Sequence, residues 1–171
     1  MDPRRLTLLR HGSAESQDAW PEDIDRPLTR QGLLEAKEMG RRLLQRGWVP
    51  QLILTSPAER TWGTAQVLGK VFDLEEKQVC CIRQLYLATP ETLWATIASQ
   101  PAAIRHLLVC GHNPGLSDLA SRFGHRPRRH ELRTAGAVTA EWPETPWEAL
   151  SPRSALRCSF DDPSQPDTAS L

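Results

Sequence analysis

What most constrains this chain is the alternation of short apolar runs with capped helical patterns. Leu6-Thr7-Leu8-Leu9, Leu52-Ile53-Leu54-Thr55, Val79-Cys80-Cys81-Ile82 and Leu107-Leu108-Val109-Cys110 lack the polar alternation of a half-exposed strand. Continuous apolar runs of this length read as strands buried on both faces. After the first run, Thr29 is placed as N-cap of a helix whose Leu33, Ala36, Met39, Leu43 and Leu44 share a face, with Gly47 as its stop. After the second, Ser56-Pro57-Ala58-Glu59 reads as a capping box with Pro at the first helical position, opening a helix through Ala65, Val67 and Leu68. Thr89-Pro90-Glu91 opens another through Leu93, Trp94 and Ile97, and Asn113-Pro114 a last one carrying Leu116, Leu119 and Ala120. A further strand over 137–142 pairs with 155–160. The alternation predicts an α/β sheet covered by helices on both faces.

Length and charge narrow the classes. With 171 residues one core is favoured over two. We expect one domain over 1–160 and a disordered tail over 161–171, where apolar content almost vanishes. Lys plus Arg and Asp plus Glu number 21 each, so no global field favours nucleic acid. No apolar run approaches the roughly 20 residues of a membrane span, and the N-terminal residues lack a secretory pattern, so a cytoplasmic protein is expected. The four cysteines form no C-x-x-C pair and read as reduced thiols, with no zinc-ligand spacing.

Three polar sites share one address in this alternation. Arg10-His11 follows the first run, Arg60 lies in the first turn after the second, and His112 stands between the fourth run and its helix. In an open α/β sheet such positions converge on the carboxyl edge of the strands, where ligands bind. Helix N-termini there favour an anion. Two guanidiniums hold phosphate oxygens by charge-assisted bonds, and imidazole serves as nucleophile, donor or proton carrier, so phosphate fits this set. Gly12 and Gly111 would let the backbone approach the ligand. Taken singly, each element has an ordinary reading as a turn, a solvated arginine or a helix cap; the conjunction carries the argument.

Leu8-Leu9-Arg10-His11-Gly12, Arg26-Pro27-Leu28-Thr29 with Gly32, Ser56-Pro57 with Arg60, Thr64 and Ala65, and Val109 with Gly111-His112-Asn113-Pro114 resemble the histidine phosphatase superfamily, and most of all its SixA-type phosphohistidine phosphatases. The resemblance covers roughly residues 5 to 142. It implies a three-layer α/β/α sandwich with a mostly parallel, phosphoglycerate mutase-like sheet. It further implies that His11 takes the phosphoryl group as nucleophile, that Arg10 and Arg60 clamp its oxygens, and that His112 donates to it in flight. Gly12, Ser13, Arg26 and Asn113 are the implied substrate-binding candidates, with no cofactor and no metal. Phosphoryl transfer of this kind is mostly positioning and charge stabilisation.

The sequence departs from the broader family at the general acid. Relatives that release an alcohol place a glutamate after the third strand, whereas here Leu85-Tyr86-Leu87-Ala88 follows. Glu15 and Glu91 are the remaining candidates. An imidazole leaving from phosphohistidine can already carry its proton, so the missing acid favours an N–P substrate over an alcohol phosphate. The expected substrate is therefore phosphohistidine on a protein. A phosphorylated small metabolite, or a non-catalytic phosphate-binding module, are the alternatives. We expect a monomer without nucleic-acid or membrane partners. Arg122, Arg126, Arg128, Arg129 and Arg133 against the single acid Glu131 form the one strong local charge bias, read either as a solvated loop or as a patch for an acidic partner.

Overall fold

The computed structural model describes residues 2–126 and 128–168. Its six strands are β1 (Arg4–Arg10), β2 (Leu52–Thr55), β3 (Val79–Cys81), β4 (His106–Gly111), β5 (Ala137–Trp142) and β6 (Arg157–Asp161), in the sheet order β3-β2-β4-β1-β5-β6. The first four run parallel, and β5 and β6 extend the β1 side antiparallel. All six residues of β4 are buried, as its apolar run requires of a strand flanked on both sides and covered on both faces.

Four helices make the outer layers: α1 (Arg30–Gln45), α2 (Glu59–Val71), α3 (Pro90–Ala98) and α4 (Gly115–Ala120). Alternate strand residues point to opposite faces. Leu9, Ile53 and Leu108 meet Met39 and Leu43 of α1 and Ala65 and Leu68 of α2. Leu8, Leu107 and Val109 meet Leu93 and Ile97 of α3 and Leu116 and Leu119 of α4. Each of the leucine, isoleucine, valine and methionine side chains among these contributes about 2 kcal/mol on burial. The result is a three-layer α/β/α sandwich with a mostly parallel sheet.

Three expectations are corrected. In α1, Ala36, Met39 and Leu43 are buried, but Leu33 and Leu44 are each 45% exposed. The helix is rotated because Gly32 and Gly40 are its points of close approach, to Ser13 and to Leu68 and Val71 of α2. Second, α2 begins at Glu59, not Pro57. Ala58 is its N-cap without a side-chain bond, and Ser56 Oγ accepts from the Ala58 amide instead of closing a capping box.

Third, the tail read as disordered from Asp161 begins inside β6, and its described part, 161–168, lies against α1. Arg42 of α1, 4% exposed, draws it in: Nη1 donates to Asp161 Oδ1 at 2.7 Å and to the Asp162 carbonyl at 3.0 Å, and Nη2 to the Gln165 carbonyl at 2.8 Å. Arg46 binds Asp161 and Asp167. Sparse apolar content signals disorder only when nothing else orders the chain. Here a buried guanidinium does. Residues 169–171 lie outside the described part.

Candidate active site

The carboxyl ends of β1 and β4 are neighbours, and this brings Arg10-His11 beside Gly111-His112. The His11 amide donates to the Gly111 carbonyl at 3.2 Å, and the His11 carbonyl accepts from the Ala135 amide at 3.0 Å, fixing its backbone on two sides. Its ring Nδ1 lies 2.7 Å from the Gly12 carbonyl. A carbonyl only accepts, so Nδ1 carries the hydrogen and Nε2 presents the lone pair. Burial pushes the His11 pKa down to about 4, reinforced by Arg60, Arg10 and Arg26 against the opposing Gly12 bond. At neutral pH the ring is therefore unprotonated, with a free lone pair on Nε2.

The loop holding His11 is clasped by the start of α1. A Cβ on Gly12 would stand 2.5 Å from the Gly32 carbonyl oxygen, and one on Gly32 2.1 Å from that of Ser13, so only glycine permits this approach. Thr29 closes the clasp: its amide and hydroxyl both donate to the Ser13 carbonyl, and its hydroxyl accepts from the Gly32 amide. The Gly12 amide donates to Thr64 Oγ1 at 3.1 Å. Gly12, one of the substrate-binding candidates, lies inside this clasp: it is buried, its amide and carbonyl are both bonded within the protein, and its missing side chain makes room for Gly32.

His112 stands with its ring 5.5 Å from that of His11. Its Nε2 is 2.7 Å from Ser56 Oγ, and Nδ1 is buried without a partner among the described residues. Among the described residues the Ser56 hydroxyl hydrogen has no acceptor other than Nε2, so Ser56 donates to Nε2 while its oxygen accepts from the Ala58 amide, and Nδ1–H is the unspent donor. Burial lowers the His112 pKa to about 3, with Arg60 and His11 adding to it.

Arg60, 2% exposed, donates from Nη1 to the Asp23 carbonyl at 2.7 Å and from Nη2 to Asp23 Oδ2 at 2.9 Å. Asp23 also accepts from Arg26 Nε at 3.0 Å and from the Tyr86 hydroxyl at 2.6 Å. Burial works to raise the Asp23 pKa, but these three donors outweigh it and hold the carboxyl well below the usual range. Arg10 donates to the Leu132 carbonyl at 3.2 Å and keeps a buried Nε without a partner among the described residues. Three guanidiniums against one carboxylate leave the cleft strongly positive, as an anion site requires.

Arg10, His11, Ser13, Asp23, Arg26, Arg60, His112 and Asn113, with Ala14, Leu87 and Thr134, line this cleft of about 510 Å³. Ser13 donates to buried Glu35, and Asn113 shapes the wall by donating to the Leu132 carbonyl at 2.8 Å. Neither candidate acid is here. The exposed Glu15 contributes only backbone groups, to Pro27 and Arg26, and Glu91 pairs with Arg122 at 2.8 Å on an exposed surface. Asp23, Ser56, Tyr86 and Glu35 were not singled out from the sequence as site residues. For Tyr86 the signal was available, since it occupies the stretch where the general acid was sought and its ring stands 5.5 Å from that of His112.

Residues 6–114 match the family model of the histidine phosphatase superfamily, branch 1. The chain belongs to that superfamily. It is 32% identical over 153 residues to an uncharacterised chloroplastic protein of Arabidopsis thaliana, spanning 85% of this chain and 69% of that one. Among solved structures, this superfamily member is similar to a protein of Agrobacterium tumefaciens provisionally named phosphohistidine phosphatase SixA, with 26% identity, a TM-score of 0.73, and coverage of 83% and 94% of the two chains. A protein of Nakamurella multipartitia with the same provisional name superposes with a TM-score of 0.76 at 24% identity over 96% and 99%, a likeness of fold.

Proposed function

We propose that this superfamily member is a phosphatase that removes phosphate from phosphohistidine, carried on a protein, by way of a phosphohistidine intermediate on His11. One observation carries the choice of substrate: among the described residues the only carboxylate lining the cleft is Asp23, and it is held ionised by Tyr86, Arg60 and Arg26. A group so held cannot protonate an alkoxide, and an alcohol leaving group without an acid is slow.

A phosphohistidine ring needs no such acid. Protonated on its second nitrogen, it departs as neutral imidazole when its N–P bond breaks and the bond from His11 Nε2 to phosphorus forms. Arg10 and Arg60 neutralise the equatorial oxygens, and His112 Nδ1–H donates to one of them. The phosphorylated His11 retains its Nδ1 hydrogen on the Gly12 carbonyl. It is then itself a protonated phosphoimidazole. Water attacks phosphorus, inorganic phosphate departs with the water's oxygen, and neutral His11 is restored in its starting tautomer.

The name of the Agrobacterium tumefaciens relative supports this reading. The competing one, a small-molecule phosphomonoesterase, draws on the cleft volume, which lies in the range of small-ligand pockets. Comparing kcat/KM for a phosphohistidine peptide, the matching phosphoserine peptide and sugar phosphates separates the two. The proposal requires the phosphohistidine peptide to lead by at least about a hundredfold; a sugar phosphate in first place would overturn it.

A further inference from the structure

We propose that the basic segment between α4 and β5 docks an acidic surface of the protein that carries the phosphohistidine. Arg126, Arg128, Arg129 and Arg133 are all exposed, and among the described residues none of them makes an ion pair. Elsewhere Arg5, Arg41, Arg42, Arg46 and Arg105 each meet a carboxylate, and the exposed arginines that form no ion pair among the described residues, Arg30, Arg83 and Arg153, stand singly along the chain. Four unpaired guanidiniums in one short segment of a chain with no net charge are a concentrated local field.

The segment is anchored to the active site. The His130 amide donates to Ser121 Oγ at 2.8 Å and its ring stacks on Phe160, while the Leu132 amide donates to Ser117 Oγ. The Leu132 carbonyl accepts from both Arg10 and Asn113. Arg129 is three residues from Leu132, so its Cα lies within about 11 Å of it, near the Debye length in physiological salt. A protein presenting its phosphoryl group to Arg10 therefore brings the surface around that group within reach of these arginines.

A second stretch of the cleft's rim has the opposite sign. Residues 14–26 line the cleft through Ala14, Asp23 and Arg26, and carry Glu15, Asp18, Glu22 and Asp25 exposed and, among the described residues, without ion pairs. The rim thus carries both signs, and a partner that is acidic beside its phosphohistidine is drawn to the basic segment in particular. Rim charges of this kind act mainly on association rate and selectivity.

The inference rests on the phosphohistidine reading above, and its test separates the two. Two peptides of equal length carry one phosphohistidine, flanked either by Asp and Glu or by Lys and Arg, and free phosphohistidine serves as the small substrate. The wild-type protein is expected to favour the acidic peptide by about tenfold in kcat/KM at low salt, a preference that fades at high salt. In the triple variant Arg126→Ser, Arg128→Ser, Arg129→Ser the preference should vanish while turnover of free phosphohistidine is unchanged. Retention of the preference in that variant, or an equal loss on all three substrates, overturns docking and leaves the substrate class standing. An RNA oligonucleotide that inhibits more strongly than polyglutamate would assign the patch to nucleic acid and overturn it too. Failure of the wild-type protein on every phosphohistidine substrate while it cleaves a sugar phosphate removes both proposals together.

Discussion

Acidification is a direct probe of the proposed nucleophile, because the His11 environment separates it from an ordinary histidine. With its pKa pushed down from 6.5 to about 4 by burial and by Arg60 and Arg10, about nine tenths of His11 remains neutral at pH 5. An unperturbed ring would be neutral in only about 3% of molecules. Formation of the phosphoenzyme from an activated aryl phosphate, corrected for the substrate's own ionisation, should fall less than about twofold between pH 7 and pH 5 rather than about twenty-fivefold. Stability carries the same signature with a definite sign. The unfolded chain binds a proton at His11 below about 6.5 and the folded chain does not until about 4. The stabilisation is complete above 6.5 and is lost as the pH falls towards 4, by about 3 kcal/mol. His112, whose pKa is near 3, adds to the loss in the same direction. An NMR titration of the His11 ring, assigned with His11→Gln, reads the value directly. A midpoint near 6.5 would refute the account of a buried, neutral nucleophile beside arginines.

Three further outcomes follow from the same geometry. Gly32→Ala places a Cβ 2.1 Å from the Ser13 carbonyl oxygen, forcing the His11 loop and α1 apart; we expect kcat to fall about a hundredfold with a stability loss of about 2 kcal/mol, read by steady-state kinetics and thermal melting. Ser56→Ala strips His112 Nε2 and the Ala58 amide of their partner, so kcat should drop about tenfold with KM nearly unchanged, and urea unfolding should show a loss of about 2 kcal/mol. Asp161→Asn weakens the hold of Arg42 and Arg46 on the tail; urea unfolding should show a loss of about 1 to 3 kcal/mol while kcat/KM stays within a factor of two, because the contact is remote from the cleft.

The strands and their polar termini were legible because they obey local rules. An apolar run ending in Arg10-His11 or Gly111-His112 announces a buried strand delivering a side chain to the sheet edge, and adjacency of β1 and β4 then places the two histidines together. What the sequence concealed is what tertiary contact decides. Asp23 sits in a polar stretch that reads as a loop, and its value comes from Arg60, 37 positions on, and from Tyr86, 63 positions away. Ser56 has the pattern of a helix cap, and the pull of His112 on its hydroxyl competes with that local use. Leu33 and Leu44 fit a helical stripe by spacing, yet the clasp of Gly32 on the Ser13 loop sets the rotation of α1 and turns them outward. In the tail, ionic contacts with Arg42 supply the order that apolar residues would otherwise provide.

The central claim is that His11 Nε2 carries the phosphoryl group. Incubation of the protein with a radiolabelled phosphohistidine peptide, followed by an alkaline quench and peptide mapping, tests it in one step. The account predicts a base-stable, acid-labile label on the peptide holding His11, absent from His11→Ala together with turnover. Undiminished turnover in His11→Ala, or a label mapping to another residue, would contradict it.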